Sequence, residues 1–522
     1  MVDGFNCLQQ LGDRCTDDIV ELTPFIQPLP ILPRAVPVPE LDPAPVPANH
    51  QLWDEHPPVD LYDVHIVQAE HQFHPDLPPS IVWGFNGHPL GETYYANYGE
   101  PFLVRFNNDL PIDGDGTGFG KPETTIHLHN AHTASESDGN PGDFYPTGMY
   151  RDNHYGMFYA GGDENEALGT LWYHDHRADF TAQSVYKGLA GMALFFDHRD
   201  SGDEAHTHDG AFKLPSGEYD VPMILADKTF ASTADHALYM DIFNTDGFLG
   251  DHYTVNGAVQ PYFEVAARKY RLRFLDIGPS RFYRLAVYIE DEDATYQIPV
   301  TFLANDGNLL ENPVEVDHAR ITPAERVDLI VDFSDVPLGD VAYLVNLEDQ
   351  ITGKGPTGTI LDPGEAPKLL KFIVDRNAAD PSEIPEETRV RPEIDEADIV
   401  AERTFVFDNI NGIWTINGLA FDFNRTDVTV QGGTAERWTL ENASGAWSHP
   451  VHIHLEEHHV ITRNGEAPAV HEAGRKDVSV LDPGDTLVIE LQFRDFTGKY
   501  PIHCHNTVHE DHAMMARWDV VD

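Results

Sequence analysis

The sequence predicts an all-β protein built from three consecutive Greek-key β-sandwich domains. An Asn-Gly pair follows an apolar, strand-like run three times, and Asn-Gly is the strongest short signal for a β-hairpin. The three pairs are Asn86-Gly87, Asn256-Gly257 and Asn417-Gly418. Each pair precedes a second strand of similar pattern, found in PFLVRFNNDL, RKYRLRFLDIG and AERWTLENAS. This repeat indicates one domain type used three times, and 522 residues are too many for a single core.

The repeat also predicts the domain boundaries. The first domain is expected at residues 23–200, the second at residues 215–376 and the third at residues 401–522. Residues 1–22 are expected to form an N-terminal extension. Residues 377–400, which are rich in proline and acidic residues, are expected to link the second domain to the third.

The most informative motif is His503-Cys504-His505, which is followed by His509 and Met514. A blue-copper site needs one thiolate, two imidazoles and a weak axial thioether, and Cys504, His509 and Met514 supply three of these four ligands. Because side chains alternate across a β-strand, His503 and His505 must point to the face opposite Cys504. We therefore expect these two histidines to bind something else.

Three further histidine pairs have strand spacing and can join His503 and His505. They are His127 with His129, His174 with His176, and His452 with His454. His449 lies three residues before His452 and can face the thiolate as its second imidazole. These residues then provide four ligands for one copper, and eight histidines remain for a separate cluster.

The distribution of these pairs over the three domains predicts where the cluster lies. The first domain holds two pairs, the third holds two pairs and the cysteine, and the middle domain holds none. A shared cluster must therefore lie between the first and third domains. The middle domain is expected to act as a spacer and to help shape the opening for a substrate.

The segments HLH, WYHDH, HPVHIH and HCHNTVHEDHAMM appear in this order and resemble the four signature segments of multicopper oxidases. Within that family the chain is most similar to the bacterial spore-coat type of laccase. The resemblance extends from about the proline-rich stretch FIQPLPILPRAVPV to the last residue. It implies three cupredoxin domains and four copper ions.

Matched residue by residue, the resemblance implies three kinds of copper site. The type 1 copper would take His449, Cys504, His509 and Met514. The type 2 copper would take His127 and His452. The type 3 pair would take His129, His174, His176, His454, His503 and His505. The choice of Met514 over its neighbour Met515 rests on the resemblance alone, and Met515 is interpreted as a packing residue.

The activity implied is that of a laccase. A phenolic, aminophenolic, aromatic amine or dye-like donor would lose single electrons at the type 1 copper, near His449 or His509 at the surface, and dioxygen would be reduced to water at the cluster. A thioether at Met514 predicts a low-to-middle potential. The resemblance also places Asp138 and Glu510 near the oxygen site, where they would supply protons. The alternative is that both are solvated acids in a very acidic protein.

Two other functions remain open at this stage. A metal oxidase acting on manganese(II) or cuprous ion has only the acidic composition in its favour, and the eight methionines are scattered rather than gathered in a methionine-rich insert. A non-catalytic electron-transfer or coat protein would need only one copper. The eight paired histidines argue against that reading.

Several histidines are not needed by this scheme. His206 and His208 form a fifth pair, but they lie in the acidic, loop-like DSGDEAHTHDG and are interpreted as surface residues. His458, His459 and His512 flank predicted ligands without fitting the strand parity or spacing. They are expected to line the rim of the copper sites or to face solvent.

The charge balance is the second unusual feature. The chain has 87 acidic and 33 basic residues, for a formal net charge of -54. Such a charge repels nucleic acid and anionic membranes, and no apolar run approaches the roughly 20 residues that span a bilayer. We expect a soluble monomer without membrane insertion. Because the acidic residues are spread along the chain, adaptation to high salt is favoured over a dedicated cation-binding surface.

The remaining cysteines, Cys7 and Cys15, could form a small disulfide or stay free. Residues 1–22 carry acidic residues where a signal peptide needs basic ones, and they lack an apolar core, so no signal peptide is visible. The compartment stays undecided, although the resemblance favours a location outside the cytoplasm.

Overall fold

The computed structural model describes residues 19–112, 119–231, 236–290, 295–472 and 474–522. Cys7 and Cys15, for which a disulfide was considered, lie outside these residues. The structure is almost entirely β, and its strands fall into three consecutive sets, here called the first, middle and third domains. No helix within the described ranges is long and apolar enough to span a bilayer.

The strands of the three domains are given in chain order. The first domain contains β1 (Asp60–His71), β2 (Ser80–Phe85), β3 (Tyr94–Asn97), β4 (Phe102–Asn108), β5 (Glu123–Thr124), β6 (Ile126–His129), β7 (Tyr145–Pro146), β8 (Tyr150–Tyr155), β9 (Thr170–Asp175) and β10 (Ala190–Phe196). The middle domain contains β11 (Asp220–Phe230), β12 (Leu238–Tyr239), β13 (His252–Val255), β14 (Ala258–Val259), β15 (Tyr262–Ala266), β16 (Lys269–Asp276), β17 (Tyr283–Glu290), β18 (Thr295–Ile298), β19 (Val300–Asn305), β20 (Asn308–Val316), β21 (Ala319–Ile321), β22 (Arg326–Asp332), β23 (Val341–Asn346) and β24 (Lys368–Arg376). The third domain contains β25 (Ile399–Ile410), β26 (Ile413–Ile416), β27 (Val428–Gln431), β28 (Ala435–Asn442), β29 (His449–Ile453), β30 (His458–Arg463), β31 (Arg475–Lys476), β32 (Val478–Leu481), β33 (Thr486–Gln492), β34 (Gly498–Cys504) and β35 (Met515–Val521).

Helices are few and short among the described residues. The α-helices in that part of the chain are α1 (Thr181–Lys187) and α2 (Thr507–Asp511). The 3-10 helices span Pro47–Asn49, Ala160–Gly162, Glu164–Glu166, Gly217–Tyr219, Glu396–Asp398 and Val470–Glu472. Residues 377–398, all of which are described, contain the 3-10 helix Glu396–Asp398 but no strand, as the composition of the predicted linker suggests.

The same strand pairings recur in all three domains. In one sheet, the first long strand pairs antiparallel with the strand that ends at the Asn-Gly pair and parallel with the next long strand. These pairings are β1 with β2 and β4, β11 with β13 and β16, and β25 with β26 and β28. The predicted threefold use of one domain type is therefore visible in the hydrogen-bond pattern itself.

The second sheet of each domain repeats as well. Its last strand pairs parallel with an early strand and antiparallel with its neighbour along the chain. These pairings are β10 with β3 and β9, β24 with β15 and β23, and β35 with β27 and β34. Two sheets of this kind packed face to face form a β-sandwich, and the predicted fold class is confirmed.

The three Asn-Gly pairs turn the chain as the sequence predicts. At Asn86, Asn256 and Asn417 the φ angle is positive, at 52°, 50° and 54°, and the glycine that follows is positive as well. Two positive φ angles in a two-residue turn match the twist of the flanking strands, which is why asparagine and glycine are favoured there.

A separate apolar core fills each sandwich. Phe85, Phe106 and Leu171 belong to the core of the first domain, and Trp438 and Trp518 to that of the third. The two tryptophans are fully buried and make an edge-to-face contact with 5.8 Å between ring centroids. These cores fix the sheets, and the sheets fix the register of the histidine-bearing strands.

That register brings the histidine pairs side by side. In the first domain β6 pairs antiparallel with β9, so that His127 lies opposite His174. In the third domain β29 pairs antiparallel with β34, so that His452 lies opposite His503 and Val451 lies opposite Cys504. These two strand pairs therefore carry most of the candidate ligands, and His176, His454 and His505 follow within one residue of a strand end.

Candidate metal centres

The first centre, here called the thiol site, surrounds Cys504. The Sγ atom of Cys504 lies 3.3 Å from Nδ1 of His449 and 3.6 Å from Nδ1 of His509. His449 stands on the same face of β29 as Val451, the residue opposite Cys504, because strand neighbours two apart share a face. All three side chains are completely buried.

The outer ring nitrogens of the two imidazoles are also engaged. His509 Nε2 donates to the backbone carbonyl of Asp246 over 3.2 Å, and His449 Nε2 lies 2.7 Å from the Ser444 hydroxyl. Because a carbonyl oxygen only accepts, Nδ1 of His509 must turn its lone pair towards the sulfur. The expectation that His449 or His509 reaches the surface is wrong, since neither is exposed.

Two neighbouring methionines differ in their surroundings. Met514 is fully buried in the same apolar cluster as Cys504, and its carbonyl accepts a hydrogen bond from the Cys504 amide over 3.1 Å. Met515 is buried on β35 outside that cluster, opposite His503. Within the described residues, Met514 is thus the methionine that packs with the thiol site.

Burial sets the protonation of the thiol site. It lowers the pKa of His449 to about 3 and raises the pKa of the Cys504 thiol well above its usual value. Burial also lowers the pKa of His509, and His449 beside it lowers it further. The imidazoles are therefore neutral, and the sulfur needs an adjacent cation to become a thiolate.

The second centre, here called the histidine cluster, lies between the first and third domains. It consists of the eight histidines that the sequence pairs, namely His127, His129, His174, His176, His452, His454, His503 and His505. They are at most 2% exposed. Their nitrogens form three groups, each with its atoms within 4.8 Å of one another. The groups are His127, His129 and His452; His129, His174 and His505; and His176, His454 and His503.

Several ring nitrogens face one another across very short gaps. Nε2 of His127 and Nε2 of His452 are 3.3 Å apart. Nε2 of His454 lies 3.2 Å from Nε2 of His176 and 3.3 Å from Nε2 of His503. Contacts of this length need either a shared proton or a cation between the rings.

The opposite ring nitrogens exclude the shared proton for the first contact. His127 Nδ1 donates to the Asp138 carbonyl over 2.6 Å, and His452 Nδ1 donates to the Asp477 carbonyl over 2.8 Å. Because a neutral imidazole carries one N–H, both Nε2 atoms present lone pairs. Two lone pairs that face each other repel, so this arrangement fits a bound cation.

Unpartnered nitrogens in the second group point the same way. Nε2 of His129, Nε2 of His174 and both ring nitrogens of His505 are buried without a hydrogen-bond partner. Burial lowers the pKa of His505 to about 3, and burial followed by the neighbouring imidazoles lowers the pKa of His129 and His174 well below the ordinary value. Neutral, desolvated imidazoles with free lone pairs are suited to transition-metal ligation.

The two acidic residues named from the sequence both touch the cluster. Asp138 Oδ2 accepts a hydrogen bond from His454 Nδ1 over 2.8 Å. Glu510, on α2, places its two carboxylate oxygens 3.0 Å from His176 Nδ1 and 3.3 Å from His503 Nδ1. Both acids are buried, so the reading as solvated surface acids is wrong.

Sequence reasoning missed a third carboxylate, Asp477. Its Oδ2 accepts a hydrogen bond from His129 Nδ1 over 2.6 Å, while its backbone carbonyl holds His452. Asp477 follows β31 in the plain sequence RKDVSVL, which carries no histidine and no repeated spacing. The only available signal was an acidic residue inside an otherwise apolar strand pattern.

The other histidines lie outside both centres. His208 is exposed and His206 is partly exposed, in agreement with their reading as surface residues. His458 and His459 do not face solvent, because they are 0% and 6% exposed on β30. His458 Nε2 lies 2.8 Å from the Ser479 hydroxyl, and neither histidine belongs to a metal-binding group found among the described residues.

Comparisons with known proteins identify the family of this chain. Two sequence profiles described as multicopper oxidase match residues 67–200 and 392–522. A bilirubin oxidase from Albifimbria verrucaria is 35% identical over 95% of this chain and 81% of its own length. A laccase from Haloferax volcanii is 32% identical over 91% of this chain and 84% of its own length.

Solved structures show the same fold. The crystal structure of a laccase from Pediococcus acidilactici superimposes with a TM-score of 0.76 at 25% identity, covering 96% of this chain and 95% of that one. Profile matches at both ends, relatives similar over nearly the whole length and a shared fold all agree. The chain belongs to the multicopper oxidase family and is an oxidoreductase that uses oxygen as its acceptor.

Proposed function

We propose that the protein is a laccase-like multicopper oxidase with four copper ions. The thiol site would bind a type 1 copper through His449, Cys504 and His509, and Met514 would be its fourth ligand. The histidine cluster would bind the other three. His127 and His452 would hold a type 2 copper, and the type 3 pair would be held by His129, His174, His505, His176, His454 and His503. When bound, copper supplies the redox chemistry, in which one-electron oxidation of a donor drives the four-electron reduction of dioxygen to water.

One observation carries this proposal above the others. Cys504 lies with His449 and His509, whereas its neighbours His503 and His505 lie in two different groups of the histidine cluster. Two peptide links therefore connect the thiol site covalently to the cluster. An electron carrier without oxygen chemistry would have no use for eight buried imidazoles behind such a connection.

The carboxylates beside the cluster would handle protons. Asp138 Oδ2 and the two Glu510 oxygens lie against ring nitrogens of His454, His176 and His503. Burial raises the pKa of Glu510, but His503 and His176 lower it by more, so its carboxylate is ionised. We propose that these two acids orient the histidines and pass protons to the buried oxygen site.

The donor would be a small aromatic reductant, either a phenol, an aminophenol, an aromatic amine or a dye-like molecule. The middle domain covers His509 through the loop that includes Thr245 and Asp246, and Trp414 packs against the His509 ring, tilted by 36° at a centroid distance of 4.0 Å. Electrons from a bound donor would therefore cross this aromatic and peptide layer. Because His509 is fully covered, organic donors that can stack on the covering layer are favoured. Donors that must bind a metal ligand directly are less favoured.

A second candidate donor follows from the relatives. The 35% identity to a bilirubin oxidase over nearly the whole chain favours bilirubin as a donor to be tested beside simple phenols. A metal oxidase acting on manganese(II) or cuprous ion has only the net charge of -54 in its support. A coat or carrier role without turnover has no structural feature of its own.

The test begins with copper analysis and an absorption spectrum of the copper-loaded protein. We expect about four copper ions per chain and an intense band at about 600 nm. Oxygen uptake is then measured on the same sample with a phenolic dye, bilirubin, manganese(II) and cuprous ion. Oxygen uptake with an organic donor supports the proposal. Uptake with only the metal ions as donors contradicts it, and so does a lack of uptake with all four donors.

Cys504→Ser provides the matched variant. It should lose the band at about 600 nm and stop turnover, because the thiolate is gone while the cluster histidines remain. A variant that stays coloured and active would contradict the assignment of the thiol site.

A further inference from the structure

The middle domain provides no histidine to the cluster, yet one of its side chains reaches the back of the cluster. Arg326, the first residue of β22, is fully buried. Its Nη1 donates to Asp477 Oδ1 over 2.9 Å, and its Nη2 donates to Asp477 Oδ2 over 3.1 Å. This two-point contact fixes both the position and the plane of the Asp477 carboxylate.

Asp477 in turn determines how two cluster histidines are held. Its Oδ2 accepts from His129 Nδ1 over 2.6 Å, which leaves the His129 Nε2 lone pair pointing into the cluster. Its backbone carbonyl accepts from His452 Nδ1 over 2.8 Å, which does the same for His452. Asp477 thus touches one ring from each of the domains that form the cluster.

The rest of Arg326 is anchored within the middle and first domains. Nη2 donates to the Asp306 carbonyl over 2.9 Å, Nη1 to the Ala324 carbonyl over 2.8 Å, and Nε to the Thr170 carbonyl over 3.2 Å. The guanidinium group therefore has no freedom to leave Asp477. Asp306 adds a second hold, because its Oδ2 accepts from the amides of Asp477 and Val478 over 3.3 Å and 3.2 Å.

We infer that Arg326 is a positioning residue for the histidine cluster, which locks the Asp477 carboxylate so that His129 keeps its proton on Nδ1 and its lone pair on the metal side. The inference rests on the proposed function, since it assumes copper in the cluster. A simpler reading is that Arg326 only ties the middle domain to the third. The two readings differ in which property changes when the guanidinium is removed.

Arg326 and His129 lie close together, and the position of the His129 ring proton distinguishes the two readings. Arg326 Nη1 lies 3.3 Å from His129 Nδ1. With the carboxylate of Asp477 in place, Nδ1 donates to it and Nε2 is free for a metal. If Asp477 is released, His129 can take its proton on Nε2 instead, and that nitrogen then no longer binds a cation.

The experiment compares Arg326→Gln with a matched control, Arg268→Gln. Arg268 is 1% exposed, and its Nη2 contacts Glu204 over 2.6 Å and Asp380 over 3.0 Å, so its loss also removes a buried guanidinium of the middle domain and its ion pairs with segments on either side of that domain. Neither partner touches a cluster histidine. Thermal unfolding of the copper-free proteins measures the structural cost of each change and shows that both variants fold.

The informative readouts are copper retention and the spectroscopic signature of each copper. In Arg326→Gln we expect about 10- to 100-fold weaker retention of cluster copper against a chelator, the range found for partners of metal-bound histidines. Because the Asp477 carbonyl also holds His452, a proposed type 2 ligand, the type 2 signal in electron paramagnetic resonance should change, while the band at about 600 nm from the thiol site persists. Arg268→Gln should lose stability but keep its copper, and Arg326→Lys should restore only part of the retention, because an ammonium group cannot make the two-point contact.

Two results would count against the inference, and they can be told apart. If the wild-type protein binds copper in the cluster but Arg326→Gln retains it as well as Arg268→Gln does, Arg326 is only a structural tie and the inference fails alone. If the wild-type protein binds copper only at the thiol site, the proposed function and the inference fail together.

Discussion

The Nε2 atom of His509 lies 3.2 Å from the carbonyl oxygen of Asp246, so a middle-domain loop covers the edge of the imidazole that points away from Cys504. Thr245 on the same loop accepts a hydrogen bond from the Trp414 indole over 2.8 Å. The carbonyls of two consecutive loop residues therefore hold the rings of Trp414 and His509. A donor that approached the thiol site from this side would meet the loop before His509.

Phe243 on that loop is the first residue to test for donor binding. Its side chain is 87% exposed and lies two residues before Thr245. Phe243→Ala should raise KM for a phenolic donor about 2- to 10-fold, because an aromatic contact contributes about 0.5–1.5 kcal/mol, with kcat for a saturating donor unchanged. Steady-state oxygen uptake measures both constants.

Leu338→Ala is the control for Phe243→Ala. Leu338 is 52% exposed on another loop of the middle domain, between β22 and β23, and its truncation also removes exposed apolar surface. An equal rise of KM in both variants would show that the loop over His509 has no particular part in donor binding.

Removal of the Glu510 carboxylate should slow oxygen reduction without affecting the thiol site. We expect Glu510→Gln to lower kcat by about 10- to 1000-fold, since general acid–base groups and partners of metal-bound histidines contribute in this range. KM for the donor and the band at about 600 nm should stay as in the wild type. Steady-state kinetics between about pH 5 and pH 8, the range in which histidine-linked sites titrate, gives the comparison.

Glu456→Gln controls for the loss of a buried negative charge. Glu456 is 1% exposed, and its carboxylate contacts Arg494 over 2.8 Å rather than an imidazole of the cluster. A wild-type kcat at every pH in Glu510→Gln would contradict the proton-transfer role. Asp138→Asn, which alters the contact with His454, should show a decrease in the same direction.

Stability at acid pH should depend on Glu166, an acid that joins the first domain to the third. Burial alone would raise the pKa of Glu166, but Arg475 and Arg494 outweigh it and lower the pKa from 4.5 to about 2. A depressed folded-state pKa stabilises the protein above the unfolded value, and this stabilisation is lost as the pH falls from about 4.5 towards 2. At about 1.4 kcal/mol per pH unit, the loss is about 3 kcal/mol.

The measurement is denaturant unfolding at about pH 5 and about pH 3 for wild type and Glu166→Gln, chosen to bracket the titration. The wild type should lose more stability than the variant between these two values, and the difference is the contribution of Glu166. Glu164→Gln is the control, because the Glu164 side chain is 63% exposed. It should lose as much stability as the wild type between the two pH values. Parallel curves for wild type and Glu166→Gln would refute the prediction.

Salt should stabilise the folded protein. With a formal net charge of -54, self-repulsion opposes the compact state, and screening shortens from about 10 Å at 0.1 M salt to about 3 Å at 1 M. We expect the melting temperature and the activity to rise or hold from about 0.1 M to about 1 M sodium chloride. A steady fall in the free energy of unfolding over this range would reject adaptation to high salt. Sodium sulfate at equal ionic strength separates screening from the general salting-out effect.

The sequence predicts which side chains the structure brings together at the two centres, because strand parity is a local property. His503 and His505 were expected to face away from Cys504, and the structure places them in the cluster while Cys504 stays with His449 and His509. The Asn-Gly repeat predicted the three sandwiches because a turn with two positive φ angles depends on two residues only.

Contacts formed only after the domains pack could not be predicted in this way. Asp477 holds two histidines partly through its backbone carbonyl, which any residue type would offer, and Arg326 reaches it from a different domain. The middle domain was expected to be a spacer, yet it covers His509 and supports His129. The burial of both His458 and His459 was not expected either, because two adjacent residues on a strand point to opposite faces and one of those faces ordinarily meets solvent.

The seam between the first and third domains has a consequence for how the protein matures. Because each of the three histidine groups draws on both of these domains, no folding intermediate with the two apart can hold the cluster metals tightly. The metals proposed for the cluster must therefore bind late in folding, after the first and third domains have closed around the middle domain. Failure of that closure would leave well-folded sandwiches with no oxygen chemistry, although the third domain would still hold every proposed ligand of the thiol site.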